Sequence, residues 1–468
     1  MTKPLTFSTL LFTCGVALLA SPRPHDATQP APQQDQRFIL DMNGRPRKPP
    51  TLAVPAFTVL TADAETQDAA RTLTDVLRAD LKYEREFDIM PATSFAGIPS
   101  AQTVEDLPYD RWNELSADFV ALGSVQKTAD GKSLTVQVRV VSIKERRQAF
   151  GEAREGASRS ARRIAHSFSD AIHKTLRGVD GVAMTRIAFS STRDGERMGQ
   201  TIEERSSKEI YIMDYDGTNE QRVTSNGSLN LAPSWCPDGR CLLYTSYQSA
   251  PSVYPDIVVQ NVFGQIGSSR PAHGSDVNQN YMGDMSPDGT KIAFASARGG
   301  AAMDIYVVNR DGSGLRQLTS NPTIDNSPRW SPNGTQIAFV SDRSGNPKIF
   351  TMSADGLQQQ ALPTGCGRCD RPAWAPSLTG LMIAYTAQTG AGHDIEVYDF
   401  STQKTHRLTN GEGTNESPTF APNGRHVMFF TTRWGKPQIA VVDIDGNNLK
   451  QMTRLGTNTY PSWSGFLK

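Results

Sequence analysis

The sequence predicts an α+β multi-domain protein, in which a small N-terminal α/β domain precedes a six-bladed β-propeller with N/C-terminal strand closure of one blade. Three observations support this fold class. Strand-like and helix-like segments alternate over residues 51–180. A turn motif then recurs along residues 185–468 at spacings of 43 to 50 residues. The strand that the first repeat lacks stands at the C-terminus.

The first 20 residues predict a signal peptide, because Lys3 precedes an apolar run from Leu10 to Ala20 that is too short to span a bilayer. Cys14 leaves a lipoprotein open as an alternative, although Thr13 before it makes a poor lipid-attachment site. Residues 21–50 are rich in Pro, Gln and Asp and predict a disordered leader. A short apolar stretch interrupts that leader: Phe38, Ile39, Leu40, Asp41 and Met42.

Residues 51–180 show the patterns of a compact α/β domain. Leu52–Val54 and Phe119–Val125 are apolar runs of strand length. Leu134–Val140 alternates apolar and polar residues, which is typical of a half-buried strand. Apolar residues recur every three or four positions over Gln67–Tyr83 and Arg159–Leu176, which predicts two amphipathic helices.

The repeat after residue 185 is the most specific signal in the chain. Copies of a Trp-x-Pro-Asp/Asn-Gly turn stand before apolar strands such as Ile337–Phe339. The Asp-Gly and Asn-Gly pairs supply the positive φ that tight hairpins need. A period near 45 residues is that of a four-stranded propeller blade. The anchors of the series are Trp235, Met285, Trp330, Trp374, Phe420 and Trp463.

The two ends of the repeat predict how the propeller closes. Ile187–Phe189 and Ile210–Ile212 start a unit, but no anchor strand stands before them. Pro461–Trp463 supplies the missing strand five residues from the C-terminus. Five whole units and one split unit give six blades, and closure removes exposed sheet edges.

Composition limits the class of function. Lys+Arg and Asp+Glu are both 48, so the net charge is zero and nothing favours nucleic acid as a partner. No later segment is apolar for long enough to insert into a membrane. The Gly-x-Ser-x-Gly elbow of a propeller-containing peptidase does not occur, and five residues follow Trp463. We therefore expect a binding protein without a catalytic site, cofactor or metal, and a carbohydrate-binding propeller stays open as an alternative.

The cysteines after residue 20 form two local pairs. Cys236 and Cys241 bracket one hairpin turn, and Cys366 and Cys369 form a CxxC in a loop. Because an export signal indicates an oxidising compartment, the prediction is two disulfides. Zinc and thioredoxin-like roles are the alternatives, but the first needs a second pair of ligands and the second needs a helix N-terminus.

Four motifs give a family resemblance: Leu122–Gln126, Ala129–Gly131, Thr185–Phe189 and Tyr460–Ser464. With the repeats, they resemble the TolB family, the propeller component of the Tol-Pal envelope system of Gram-negative bacteria. The resemblance covers Phe38 to Lys468. It implies a monomer in the periplasm that acts in cell envelope integrity, cell division and protein transport.

The resemblance also implies two partner sites. The peptidoglycan-associated lipoprotein Pal would bind the loops that lead into the innermost strands, and TolA would bind an N-terminal arm formed by Phe38 to Met42. The loop residues expected to contact Pal are Asn230, Gln279, Asn280, Asp325, Asn326, Asp370, Arg371, Glu416, Ser417, Thr459 and Tyr460.

Other interpretations of these loop residues remain open. Asn, Asp and Ser favour turns in any protein, so each single residue has a purely structural explanation. Asp325, Asp370 and Glu416 offer the oxygen ligands that Ca²⁺ accepts, although their spacing matches no dedicated metal loop. Sugar stacking would need exposed aromatic rings, and Tyr281 and Tyr460 are the candidates.

Overall fold

The structure is a computed structural model that describes residues 39–40, 46–194, 207–247, 254–264, 267–274, 278–300, 302–376, 381–390 and 392–467. The predicted signal peptide and Phe38, Asp41 and Met42 of the predicted arm lie outside these residues. The chain forms two compact units, residues 1–48 and residues 49–468. In the first unit, strand β1 (Ile39–Leu40) pairs antiparallel with β2 (Pro46–Arg47). None of the described helices is long and apolar enough to cross a membrane.

The second unit begins with the predicted α/β domain. Its elements are β3 (Thr51–Ala53), β4 (Thr58–Val59), α1 (Ala64–Tyr83), β5 (Asp88–Ile89), α2 (Tyr109–Glu114), β6 (Phe119–Lys127), β7 (Leu134–Ser142), β8 (Arg147–Gly156) and α3 (Ala161–Arg177), with 3₁₀ turns at Ala92–Phe95 and Ser158–Ser160. The strands form one sheet of order β5-β3-β6-β7-β8, and β4 also pairs with β6. The pairs that involve β3 and β4 are parallel, whereas β6, β7 and β8 pair antiparallel.

Helix α1 shows why these elements form. The Asp63 side chain accepts a hydrogen bond from the Thr66 backbone N–H at 3.1 Å and caps the first turn. Leu73, Leu77 and Leu81 are fully buried against the sheet, which confirms the predicted apolar stripe. Strand β8 could not be predicted, because this edge strand buries one apolar side chain, Phe150, and exposes most of the others.

The propeller has six four-stranded sheets within the described residues, each with its innermost strand first below. Blade 1 is β32 (Asn458–Trp463), β9 (Arg186–Ser191), β10 (Glu209–Asp214) and β11 (Gln221–Arg222); blade 2 is β12 (Asn230–Trp235), β13 (Cys241–Ser246), β14 (Asp256–Asn261) and β15 (Ser268–Ser269); blade 3 is β16 (Asn280–Met285), β17 (Lys291–Ser296), β18 (Asp304–Asn309) and β19 (Arg316–Gln317). Blade 4 is β20 (Asp325–Trp330), β21 (Gln336–Ser341), β22 (Lys348–Ser353) and β23 (Gln360–Ala361); blade 5 is β24 (Cys369–Trp374), β25 (Met382–Thr389), β26 (Gly392–Asp399) and β27 (Lys404–Arg407); blade 6 is β28 (Asn415–Phe420), β29 (His426–Thr431), β30 (Gln438–Asp443) and β31 (Lys450–Gln451).

The predicted closure is confirmed. Strand β32 pairs antiparallel with β9, so the C-terminus completes the blade that begins at Arg186. The anchor residues stand at the last position of the innermost strands, and two of the anchor tryptophans hydrogen-bond to the preceding blade. The Trp374 indole donates to the Arg329 carbonyl at 3.1 Å, and the Trp235 indole donates to the Ser462 carbonyl at 3.2 Å. In these two blades the Trp therefore joins its blade to the one before it.

The α/β domain packs on the face of the propeller where the innermost strands end, which we call the covered face. The Tyr215 hydroxyl donates to Asp80 at 2.5 Å across this boundary. The Arg85 guanidinium donates to Asp443 at 2.6 Å. We call the opposite face, where the innermost strands begin, the open face. It holds the residues for which the sequence predicts a binding role.

Candidate functional site

Each innermost strand contains a left-handed residue at its third position. Their φ angles lie between 50° and 57°, and the register of the strand shifts at this point in all six blades. None of the six is glycine, so each conformation costs on the order of 1–3 kcal/mol. Such strain often marks a functional site. The six residues are Ala232, Met282, Ser327, Arg371, Ser417 and Tyr460.

The structure corrects the expectation that the predicted contact residues lie in loops. Except for Gln279, they occupy the first three positions of the innermost strands. Asn230, Asn280 and Asp325, at the first position, are at most 1% exposed. The Asn280 amide donates to Asp256 at 2.9 Å, and Asp325 accepts from Arg343 at 2.8 Å. These three side chains hold the fold together and do not reach a partner in this conformation.

The second and third positions are nearer the surface. Asp370 is the most exposed of the charged residues there, at 51% of its side chain, and Glu416 is 33% exposed. The remaining predicted contact residues divide by burial: Gln279, Asn326, Arg371 and Tyr460 are half-buried, whereas Ser417 and Thr459 are buried. The structure thus brings these side chains together around one end of the central channel.

Arg371 lies at the centre of this group. Its guanidinium contacts the Met282 sulfur at 3.1 Å and lies 4.7 Å from the centre of the Tyr460 ring. These contacts join blade 5 to blades 3 and 1, so the side chain reaches across the channel. A small cavity of about 20 Å³ between the innermost strands is lined in part by Pro233, Pro372 and Pro461. Arg371 also lines this cavity.

Acidic side chains stand beside Arg371. Glu416 lies 3.6 Å from the imidazole of His393, and Asp370 lies 3.7 Å from the Arg371 guanidinium. Burial raises the pKa of Glu416 above its ordinary value, although His393 and Arg371 act in the opposite direction. The channel mouth thus presents charges of both signs within a few ångströms, as in the polar rim of a protein interface.

Several polar atoms at this site have no hydrogen-bond partner among the described residues. They include the side-chain oxygen of Asn326, the hydroxyl of Ser417 and the Nδ1 atom of His393. A buried polar atom without a partner costs about 1–3 kcal/mol, so such atoms are explained by water or by a bound molecule.

Sequence reasoning missed three residues of the site. Lys208 donates to the Thr459 hydroxyl at 3.1 Å, and burial lowers the pKa of its ammonium group. Met282 and His393 make the contacts described above. Lys208 directly precedes the third strand of blade 1, and His393 is the second residue of the third strand of blade 5, so both lie far in sequence from the anchors. Met282 stands directly before Gly283, which replaces the Pro found at that position in the other five innermost strands, and this irregularity was its only signal.

The channel-cation hypothesis finds no support in this geometry. Asp325 is paired with Arg343 and Asn321, and it does not cluster with Asp370 and Glu416. In the described part of the chain, one group of three His, Cys, Asp or Glu residues is close enough to hold a metal. It is Cys236, Asp238 and Cys241, and both of its cysteines are in disulfide contact.

The aromatic residues proposed for sugar stacking already make contacts within the propeller. Tyr460 packs against Arg371 on one side and meets the edge of Phe430 at 5.9 Å. The Tyr281 hydroxyl donates to Gln279 at 2.9 Å, and both residues are half-buried. Both rings also pack against hydrophobic clusters of the propeller, so neither is a freely exposed ring of the kind that carbohydrate stacking needs.

The structure places both cysteine pairs in bonding contact. The Cα atoms of Cys236 and Cys241 are 5.2 Å apart, and those of Cys366 and Cys369 are 6.2 Å apart. Both separations lie in the range of natural disulfides. The first pair closes the turn after β12 at the covered face, and the second pair lies at the open face beside Asp370. The two disulfides stay a prediction that thiol titration tests.

Fold and site together define a class of protein: a six-bladed propeller scaffold with a strained, polar channel mouth on one face and an α/β domain on the other. Comparison with known families gives a particular identity within that class. Residues 39–149 match the TolB amino-terminal domain, and residues 173–467 match the TolB β-propeller domain. The chain belongs to the TolB family.

Individual relatives agree with this assignment. The chain is 30% identical to the Tol-Pal system protein TolB of Bordetella pertussis over 98% of its own length and 97% of the relative's. It is 33% identical to that of Anaeromyxobacter dehalogenans over 65% of each chain. The crystal structure of TolB from Acinetobacter baumannii superposes with a TM-score of 0.71 at 21% identity, covering 89% of this chain and 96% of that one. The last comparison shows the shared fold.

Proposed function

We propose that the protein is a periplasmic adaptor of the Tol-Pal envelope complex that binds Pal through the open face of the propeller. The observation that supports this most directly is the ring of six strained strand positions around the channel mouth. The α/β domain occupies the covered face, so a partner of the propeller has the open face available. The unpartnered oxygens of Asn326 and Ser417 would gain hydrogen bonds from such a partner.

We further propose that TolA binds the N-terminal arm, Phe38 to Met42. Two partners on separate parts of one chain would let the protein release Pal when TolA is engaged. That exchange would support outer-membrane integrity and constriction at cell division. No covalent chemistry is part of this role, in keeping with relatives that are Tol-Pal system proteins.

Binding of a soluble Pal domain, measured by calorimetry, tests the propeller site. We expect Glu416→Lys to weaken binding at least about tenfold, because it reverses one charge at the channel mouth. Asn326→Ala should weaken it less. The matched control is Glu114→Lys on α2, which is 66% exposed on the α/β domain and should leave the affinity unchanged. Unaltered affinity in both open-face variants would contradict the proposed site.

Capture of the periplasmic part of TolA tests the arm. A protein that lacks residues 21–42 should lose TolA and keep its affinity for Pal. Loss of both partners would mean that the arm is not a separate site. Hydrolysis of peptide or glycan substrates by the pure protein would favour the enzymatic alternative.

A further inference from the structure

Four of the six blades anchor their innermost strand in the same way. An asparagine at the first strand position donates its side-chain N–H to a side-chain oxygen near the start of the third strand of the preceding blade. We call this pair the asparagine clamp. The distances lie between 2.8 and 3.2 Å for Asn230 with Glu209, Asn280 with Asp256, Asn415 with Asp394, and Asn458 with Gln438.

Blade 4 has a charged variant of this anchor. Asp325 stands at the first position and is paired with Arg343 and Asn321, at 2.8 and 2.7 Å. Its strand is therefore also fixed by a side chain at that position.

Blade 5 lacks both halves of the clamp. Cys369 stands at the position of the asparagine, and Lys348 stands at the start of the third strand of the preceding blade, where the clamp needs an oxygen. The backbone confirms the equivalence, because Cys369 N–H donates to Pro347 at 2.9 Å just as Asn280 N–H donates to Pro255 at 2.9 Å. Cys369 is 2% exposed and is joined to Cys366, and Lys348 donates to the Cys366 carbonyl.

A second contact that fixes the left-handed residue occurs in blades 3 and 6 and is missing in blade 5, as it is in blade 4, where Ala295 stands at the equivalent position. In blades 3 and 6 the N–H of the left-handed residue donates to a threonine of the preceding blade, at 3.0 Å from Met282 to Thr245 and at 3.0 Å from Ser417 to Thr386. The equivalent residue before blade 5 is Val340, which pairs with the second residue of its own innermost strand as those threonines do. The Arg371 N–H instead donates to the neighbouring Asp370 side chain, at 2.6 Å.

The left-handed residue of blade 5 is Arg371, with φ 54°. A strained residue of this kind persists only where its surroundings fix it. In blade 5 the clamp position, two residues before Arg371, is occupied by Cys369. We propose that the Cys366–Cys369 disulfide replaces the asparagine clamp in blade 5 and positions Asp370 and Arg371 at the channel mouth.

This inference rests on the proposed function, because its readout is the affinity for Pal. We expect the double variant Cys366→Ser, Cys369→Ser to bind the soluble Pal domain about tenfold more weakly than the oxidised protein. The matched control is Cys236→Ser, Cys241→Ser, which removes the disulfide at the covered face and should keep full affinity.

A rescue variant separates positioning from a general loss of stability. Lys348→Asp, Cys366→Ser and Cys369→Asn together install the asparagine clamp of the other blades. This triple variant should recover affinity to within about threefold of the oxidised protein. If the disulfide only stabilised the local loop, a hydrogen bond to the neighbouring blade would not restore the affinity for Pal.

Reduction of the disulfide gives a third experiment, which needs no substitution at the site. Dithiothreitol transfers two electrons and two protons to the disulfide, so the S–S bond breaks, two thiols form and the reagent closes to its cyclic disulfide. In the Cys236→Ser, Cys241→Ser background, reduction should weaken Pal binding as the serine pair does. The triple variant should not respond. This experiment tests the positioning role of the disulfide even if the double serine variant does not fold.

The outcomes distinguish the two proposals. If the oxidised protein does not bind Pal, the proposed function fails. If it binds Pal, and both the serine pair and the reduced protein bind equally well, the positioning role of the disulfide fails while the function stands.

Discussion

The two faces of the propeller use polar side chains in opposite ways. At the covered face, charged groups are buried and paired across the boundary: Glu86 is 2% exposed and contacts both Arg177 and Arg425. At the open face, charged groups are partly exposed, and left-handed residues remain strained in all six blades. The covered face holds the α/β domain, whereas the open face presents partly exposed charges that, under the proposed function, would meet Pal.

The largest effect should come from breaking the charge network of the covered face. Arg425→Met leaves the carboxylates of Glu84 and Glu86 buried without this guanidinium. It also removes the hydrogen bond that Arg425 donates to the Glu84 backbone carbonyl at 2.8 Å. Removing one partner of a buried ion pair costs about 3–5 kcal/mol, and we expect that loss in denaturant unfolding. The control is Arg316→Met on the exposed strand β19, which should cost less than about 0.5 kcal/mol. A small effect at Arg425 would mean that the network does not stabilise the boundary.

A smaller effect should follow pH at the same boundary. Burial by itself would lower the pKa of His426, but its hydrogen bond to Asp443 and its contact with the Glu84 carboxylate at 3.5 Å raise the pKa above the ordinary value. Burial also raises the pKa of Asp170 to about 7. Groups with a raised folded pKa contribute stability that is complete below their unfolded pKa and is lost as pH rises through the folded pKa. The melting temperature should therefore fall from about pH 4 to about pH 7 through Asp170, and above about pH 6.5 through His426.

His426→Gln tests which group causes this fall. Glutamine is neutral at every pH, so the part of the slope above about pH 6.5 should flatten and the part due to Asp170 should remain. An unchanged slope would exclude His426 as a source. Binding of Pal at the open face should not follow this slope, since His426 lies at the other end of blade 6.

Blade number and closure could be predicted from the sequence, because each blade repeats the same turn chemistry at a fixed period. The anchors and the split first blade were visible for that reason. The burial of Asn230 and Asn280 could not be predicted, since it depends on Glu209 and Asp256 in the preceding blade. A turn-forming asparagine and a clamp asparagine look the same in a single sequence.

The site was predicted less completely than the fold. The sequence placed the candidate residues near the start of the innermost strands, where the structure has them. The left-handed backbone at the third position could not be predicted, because the six residues there share no residue type and range from Ala232 to Tyr460. Lys208 and His393 reach the channel mouth because blades close into a ring, which places residues from distant strands together. The position of the α/β domain also depends on tertiary contacts such as that between Asp80 and Tyr215.

The smallest expected effect tests the strain of the open face directly. Ala232 is left-handed with φ 50° and is buried, so replacing it by glycine removes a conformational cost of about 1–2 kcal/mol. The gain is offset by about 0.5–1 kcal/mol of unfolded-state entropy and by the loss of one buried methyl, about 0.8 kcal/mol. We expect Ala232→Gly to change the free energy of unfolding by less than about 0.5 kcal/mol. Ala188→Gly, in the regular strand β9 and fully buried, has no strain to relieve and should lose about 1.5 kcal/mol. Equal losses in the two variants would show that the left-handed backbone is not strained, and the contrast between the two faces would then rest on charge alone.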